Sequence, residues 1–292
     1  MYYLIYGLLY LISLLPLRVL YVLSSGIYGC IYYVVKYRRA TVHNNLLQAF
    51  PNKTEGERKG IEKQFYKNFV DSFVETIKMI STGKKFIDAH YKGDISLIKK
   101  YDELQIPVQV HASHQFNWEW ANVFFSLTIP QPHLLVYMPL STKAIDRLFY
   151  KLRNRANTVL LPATDMKTKF AGWRKKSHMI TLVADQNPGH PKNAYWFNFF
   201  GKPTPFIIGP ERLARAKAVP VLFAKSVKIK RGEYEVIFET ATENAATLAP
   251  TELTKMYVAF VTKAIIQQPQ NWLWSHRRWK YNWNEDYGKL ID

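Results

Sequence analysis

The chain has 292 residues, 48% of them hydrophobic and 15% aromatic, enough to bury one large core or two modest ones, and we expect one principal domain with a terminal appendage. A formal net charge of +18 and a pI near 9.7 create a field that attracts polyanions, whether nucleic acid, anionic lipid headgroups or an acidic carrier protein, and charge by itself does not choose among them. Cys30 is the sole cysteine, which excludes an internal disulfide and points to a reducing compartment; set in an apolar run, it reads as an inert packing residue.

From Met1 to Val35 the only charged side chain is Arg18, and Pro16 divides the run into a short piece and a longer one. Roughly twenty apolar residues cross a bilayer as a helix, and Pro16 to Val35 just meets that requirement. No basic region precedes the run and no small-residue cleavage site follows it, so we read an uncleaved anchor over residues 1–36. Lys36, Arg38 and Arg39 follow at once, and this basic cluster keeps its flank on the cytoplasmic side. The competing reading is a buried hairpin of core helices.

Beyond the anchor, Thr54 and Glu57 form a capping box, after which Ile61, Phe65, Phe69, Phe73, Ile77 and Ile80 recur at helical spacing and predict a long amphipathic helix ending near Gly83. Short β-prone runs then alternate with helical ones: Val108 to Ala112, Leu134 to Met138, Val159 to Leu161, Met179 to Ala184 and Val219 to Ala224. That alternation predicts an α/β domain, residues 37–292, with a central, largely parallel sheet flanked by helices. Lys225 to Thr240, turning about Arg231 and Gly232, reads as a hairpin at a sheet edge, and Thr251 to Gln267 as a last helix.

The chemistry concentrates at His114, Gln115, Phe116, Asn117, Trp118 and Glu119, between the first of these strands and an apolar helical run, where open α/β sheets place their sites. His114 at a strand end and Glu119 in the first helical turn suit a general base and a carboxylate that orients it, with the nucleophile supplied by the substrate. A helix-capping histidine beside a solvated glutamate fits the same spacing. His111, on the strand itself, reads as a packed or hydrogen-bonded histidine. The eight histidines show no paired ligand spacing, so no metal site is expected, and no glycine-rich phosphate loop occurs. The basic residues are scattered and no nucleic-acid reading motif is present, which argues against a nucleic-acid partner.

This segment resembles the H-x-x-x-x-D/E motif of the lysophospholipid acyltransferase superfamily, and His114 to Trp120 is similar to the H-x-G-N-W-E-W form of bacterial lipid A biosynthesis (late) acyltransferases. Further blocks resemble that family in order: Tyr37, Arg38 and Arg39 with Asn45, Leu46, Ala49, Phe50 and Pro51; Asp185 and Gln186; Phe199, Phe200 and Gly201 with Thr204; and Trp272 to Lys280 with its His276, Arg277 and Arg278. Two departures stand out. Phe116 replaces a glycine in the turn, and Asn157 replaces the glycine of an arginine-containing element at Arg153 to Asn157, where Asn tolerates a left-handed backbone.

The resemblance implies a glycerolipid acyltransferase-like fold and transfer of a fatty acyl chain from acyl carrier protein, or acyl-coenzyme A, to a membrane lipid hydroxyl without a bound cofactor. It also implies residence at the inner membrane with the catalytic domain on the cytoplasmic side. Lipid A precursors, lysophospholipids, aminolipids and glycolipids remain open as acceptors, and a non-catalytic membrane-binding protein is the rival class. Within that reading, Arg153 and Arg155 grip a phosphate of donor or acceptor, Asp185 and Gln186 shape the acceptor pocket or support the base, and Asn117 joins the substrate-binding set. His276, Arg277 and Arg278 are candidates for headgroup binding, although Trp272, Trp274 and Trp279 around them suit a membrane-interface belt or a core corner equally.

Overall fold

The computed structural model describes residues 2–291. In chain order it contains helices α1 (Tyr2–Leu14), α2 (Leu17–Gly29), α3 (Arg39–Ala49), α4 (Glu55–Lys78) and α5 (Lys84–His90), strand β1 (Tyr91–Gly93) and helix α6 (Ser96–Glu103). Strand β2 (Val108–Ala112) leads to α7 (Trp118–Thr128), β3 (His133–Tyr137) to α8 (Lys143–Arg153), and β4 (Thr158–Pro162) to the short α9 (Met166–Lys169). Then come β5 (Met179–Val183), β6 (Ala194–Phe199), β7 (Lys202–Ile207), α10 (Gly209–Lys217), β8 (Val221–Lys230), β9 (Glu233–Thr242), α11 (Glu252–Gln267) and β10 (Leu290–Ile291).

The main sheet has seven strands in the order β1-β9-β8-β2-β5-β3-β4, and only the β8–β9 pair is antiparallel. The expected α/β architecture is therefore present. The hairpin does not form the edge, however, because β1 pairs with β9 and covers it. A second sheet, β10-β6-β7, lies in a stretch whose prolines and aromatics hide its period-two pattern.

Strand alternation sorts the core. Leu222 and Ala224 of β8 join Val108, Val110, Trp120 and Val123 under α7, while Val221 and Phe223 pack against Tyr257, Phe260 and Val261 of α11. Successive side chains of one strand thus serve opposite faces, and both faces are covered, as a parallel sheet requires.

Helix α4 begins with the expected capping box: Thr54 Oγ1 accepts from the Glu57 amide, and the Glu57 carboxylate accepts from the Thr54 amide at 2.7 Å. It stops at Lys78 rather than near Gly83, which instead caps α5. The predicted apolar stripe is wider and more polar than its spacing suggested, since Glu62, Asn68, Asp71 and Glu75 are buried along with Phe65 and Phe69, while Phe73 is half exposed.

The amino-terminal segment is not a buried hairpin. Leu17–Val35, a helix that ends in a π-helical turn over Cys30–Val35, is long and apolar enough to cross a membrane, and 17% of its most apolar window is buried. Leu20, Ser24 and Tyr32 face inward, whereas Val19, Val22, Leu23, Ile27 and Val34 are exposed. Cys30 is exposed as well, so it does not have the packing role its apolar neighbours suggested. Lys78 fastens the bend between α1 and α2 by donating to the Ser13 and Leu15 carbonyls at 2.8 and 2.9 Å. Tyr2 and Tyr6 of α1 lie beneath the Arg147 and Lys151 cations of α8.

Candidate active site

Val108 to Ala112 form β2 in the middle of the sheet, and the chain leaves its carboxyl end at Ser113 to enter the His114 turn. Phe116 takes no positive φ, so the turn does not need the glycine it lacks. Asn117 closes it by capping α7, its Oδ1 accepting the amides of Glu119 and Trp120 at 3.1 and 3.2 Å.

Asp185, just beyond the neighbouring parallel strand β5, lies beside this turn. His114 Nδ1 is 2.6 Å from Asp185 Oδ1, and the His114 amide donates to Asp185 Oδ2 at 2.9 Å. The Trp272 indole donates to Oδ2 as well, at 2.6 Å. Burial alone would raise the Asp185 pKa, but attraction to His114 and these donors reverse the effect and hold it at about 2. An ionised carboxylate on Nδ1 fixes the proton there and leaves Nε2 as the nitrogen that can accept one.

This arrangement corrects the expected pairing. Glu119 makes no hydrogen bond or ion pair with His114. It is buried in the first turn of α7, where its Oε2 accepts from Arg153 Nε at 2.9 Å and its Oε1 from Arg153 Nη2 at 2.5 Å and from the Trp118 indole at 3.2 Å. The reason is geometric: the helix directs Glu119 toward α8, while the crossover to the parallel neighbour delivers Asp185 to His114.

His114, Glu119, Arg153 and Gln186 all border a cavity of about 780 Å³ at the carboxyl ends of the strands, within the size range of ligand sites. Phe125, Leu135, Met138, Phe170 and Leu182 supply apolar wall. Among the described residues no cluster of three or more His, Cys, Asp or Glu side chains is placed to hold a metal ion.

Other expected site residues have structural duties. Arg155 donates to the carbonyls of Thr82 and Met79, tying the loop after α8 to the end of α4, and does not line the cavity. The left-handed residue beside it is Ala156, not Asn157; Asn157 instead donates to the Gln131 and Pro130 carbonyls at 2.6 and 3.0 Å. Asn117 Nδ2 donates to Glu75 Oε2 at 2.9 Å and Asn117 is 1% exposed, so it supports the turn and does not line the cavity. Arg278 is fully buried, binding Asn187 Oδ1 and the Pro205 carbonyl at 2.9 Å each, with its pKa lowered by burial to about 9. It braces the loop after Asp185 through Asn187. His276 is mostly buried, its pKa lowered to about 4 by burial and then by Arg278, whereas Arg277 is exposed. His111 is packed as expected: it is 2% exposed, its Nε2 lies 2.6 Å from Gln109 Nε2, and burial lowers its pKa to about 3.

The carboxyl-terminal segment acts as a clasp. Leu273 donates its amide to the His114 carbonyl at 3.1 Å, Phe116 donates to Asn271 at 2.9 Å, and Trp272 holds Asp185. Arg38 and Asn45 reach across to this segment, donating to Ser275 at 2.9 Å and to Trp274 at 2.7 Å. Sequence reading missed Glu75, which accepts from Tyr21 Oη at 2.7 Å, Tyr234 Oη at 2.8 Å and Asn117, and whose pKa is raised by burial. The available signal was the polar stripe Asn68, Asp71, Glu75 at helical spacing inside an otherwise apolar face.

The family model for bacterial lipid A biosynthesis acyltransferases matches residues 1–281. The chain belongs to this family. A similar protein is the lipid A biosynthesis lauroyltransferase of Escherichia coli (strain K12), 25% identical over 283 residues that cover 94% of this chain and 89% of the relative. The chain is accordingly an acyltransferase, and the blocks shared with the family converge in its fold: in this acyltransferase the His114 turn, Asp185, the Arg38–Asn45 segment and the Trp272–Arg278 clasp meet around one site.

Proposed function

We propose that this enzyme transfers a fatty acyl chain from an acyl thioester to a hydroxyl of a lipid A precursor, with acyl carrier protein presenting the donor and acyl-coenzyme A as the alternative carrier. Residues 1–36 anchor it to the inner membrane, and residues 37–292 form the catalytic domain on the cytoplasmic side. The observation that carries this reading is the His114–Asp185 pair opening onto an apolar cavity.

The acceptor hydroxyl lies at His114 Nε2. Its oxygen forms a bond to the thioester carbonyl carbon as its proton passes to Nε2, and Asp185 stabilises the imidazolium that results. The tetrahedral intermediate then collapses, the carbon–sulfur bond breaks, and the leaving thiolate takes the proton from Nε2. Apolar walls hold the acyl chain. Glu119 holds Arg153 in a fixed pose, leaving Nη1 without a hydrogen-bond partner among the described residues and aimed at a phosphate of the acceptor or donor. Gln186 borders the same cavity, and Arg277 is the exposed cation of the clasp that serves a headgroup.

The test is to incubate detergent-purified enzyme with labelled acyl carrier protein or acyl-coenzyme A and a panel of lipid A precursor, lysophospholipid, aminolipid and glycolipid acceptors, reading products by mass spectrometry. A lipid A precursor heavier by one acyl group, absent with His114→Ala, supports the proposal. Acylation confined to another acceptor overturns the acceptor assignment.

A further inference from the structure

A second cavity, of about 610 Å³, lies between α2, α4 and the β8–β9 hairpin, and no residue lines both it and the His114 cavity. Its wall carries the cations Lys67, Lys228, Lys230 and Arg231 against a single carboxylate, Asp71. Asp71 is already occupied, accepting from Ser24 Oγ at 2.6 Å and from Arg231 Nη2 and Nε at 2.6 and 2.9 Å, with Lys228 Nζ at 3.6 Å. These contacts pin the Arg231 guanidinium by one edge, and its Nη1 has no hydrogen-bond partner among the described residues. The hairpin tip is pressed against α2: Gly232 has φ +77, and a Cβ there would meet Tyr21 Oη at 2.3 Å. Arg231 and Lys228 are therefore held in place beside the apolar helix, whereas Lys67 is exposed and Lys230 is exposed with its Nζ 2.9 Å from Glu233 Oε1.

The cavity opens halfway along Leu17–Val35, at Ser24, Ser25 and Tyr28. Fixed charges beside the middle of a helix are costly in the hydrocarbon core, but at headgroup depth the same charges are favourable. Val19, Val22, Leu23, Ile27 and Val34 turn an apolar face outward from the same helix, and Ile229, 58% exposed, projects from the hairpin between Lys228 and Lys230. An apolar face with flanking cations is the pattern of a helix lying in the membrane interface.

We propose that this cavity binds the phosphate of an anionic membrane phospholipid, with α2 lying in the plane of the interface beside it. Arg231 Nη1 and the ammonium groups of Lys67 and Lys230 meet the phosphate oxygens, and the lipid tails run along the exposed face of α2. The proposal does not depend on the acyl-transfer reading, because none of these groups belongs to the His114 site.

Two measurements on the full-length protein test it. In the first, phosphatidylglycerol retained on the detergent-solubilised protein is counted by native mass spectrometry for wild type, for K67E/K230E, and for the control K99E/K263E, which makes the same change in net charge at exposed positions elsewhere. Retention should fall about tenfold or more in K67E/K230E and stay unchanged in the control, while diacylglycerol of the same chains, lacking phosphate, should not be retained. Equal retention in wild type and K67E/K230E overturns the site. Displacement of the lipid by glycerol phosphate at equal concentration shows a soluble-anion site and overturns the lipid assignment. In the second, nitroxide labels at Cys30, and at V19C in a C30S background, report depth in phosphatidylglycerol-containing vesicles. These positions share a helix face about 16 Å apart along the axis, so an in-plane helix gives equal depths and a depth difference near that length overturns the orientation.

Discussion

Asp185 holds His114 at two points, its Oδ1 lying 2.6 Å from the ring Nδ1 and its Oδ2 accepting the backbone amide at 2.9 Å. Main chain and side chain are thus fixed by one carboxylate, itself held by Trp272. We expect Asp185→Asn to fold and to lose roughly a thousandfold or more in kcat, because the amide cannot stabilise the imidazolium and favours the wrong tautomer. His114→Ala should lose roughly a hundred- to ten-thousandfold, while His111→Ala, whose ring packs against Phe223 and Tyr257 and does not line the cavity, should retain kcat at lower stability. A dead His111 variant beside an active His114 variant would move the base.

The same carboxylate predicts a pH dependence of stability. Its folded pKa of about 2 lies below the ordinary 3.8, so its stabilisation, about 2 kcal/mol, is complete above the ordinary value and disappears as pH falls through the folded one. In denaturant titrations the stability gap between wild type and Asp185→Asn should therefore narrow between about pH 5 and about pH 2. A constant gap would mean that the charge of Asp185 contributes nothing to folding.

Glu119 and Arg153 behave as a unit if Glu119 acts by placing Arg153. Glu119→Gln should raise KM, and Glu119→Gln with Arg153→Ala should cost little more than Arg153→Ala alone, a coupling of about 1 to 3 kcal/mol in a double-mutant cycle. Arg153→Lys should recover only part of the activity, since lysine lacks the two-pronged geometry. Additive losses would separate the two roles.

Glu75 connects the amino-terminal helix to the His114 turn through Tyr21 and Asn117. Glu75→Ala leaves buried donors on Tyr21, Tyr234 and Asn117 unpaired and should cost about 2 to 4 kcal/mol, with kcat reduced because Asn117 no longer holds the cap of α7 in place. Tyr21→Phe should cost only about 1 kcal/mol. Thermal melts and initial rates on the same preparations separate loss of fold from loss of turn geometry.

Arg155 should show the opposite profile to Arg153. Removing its bonds to the Thr82 and Met79 carbonyls is expected to lower stability by about 2 to 3 kcal/mol while leaving KM unchanged. A raised KM with an unchanged melting temperature would return Arg155 to the substrate site.

Local pattern was enough for much of this protein. The β-prone runs alternating with helical ones specified a largely parallel sheet, Thr54 and Glu57 marked the start of α4, and the run after Pro16 marked an apolar helix, because each signal depends on neighbours a few residues away. The position of His114 at a strand end was legible for the same reason. Its partner was legible only through the family resemblance, which offered Asp185 as a pocket residue or a support for the base, while spacing pointed to Glu119. Glu119 is five residues from His114 and Asp185 is seventy-one, yet Asp185 makes the contact, because a parallel crossover sets residues distant in sequence side by side at one sheet edge. Tertiary packing likewise drew Arg155, Asn117 and Arg278 into buried hydrogen bonds, covered the hairpin edge with β1, and buried Glu75. Composition shows that such side chains are polar, but only the fold decides whether their partners are substrate, solvent or the protein's own backbone.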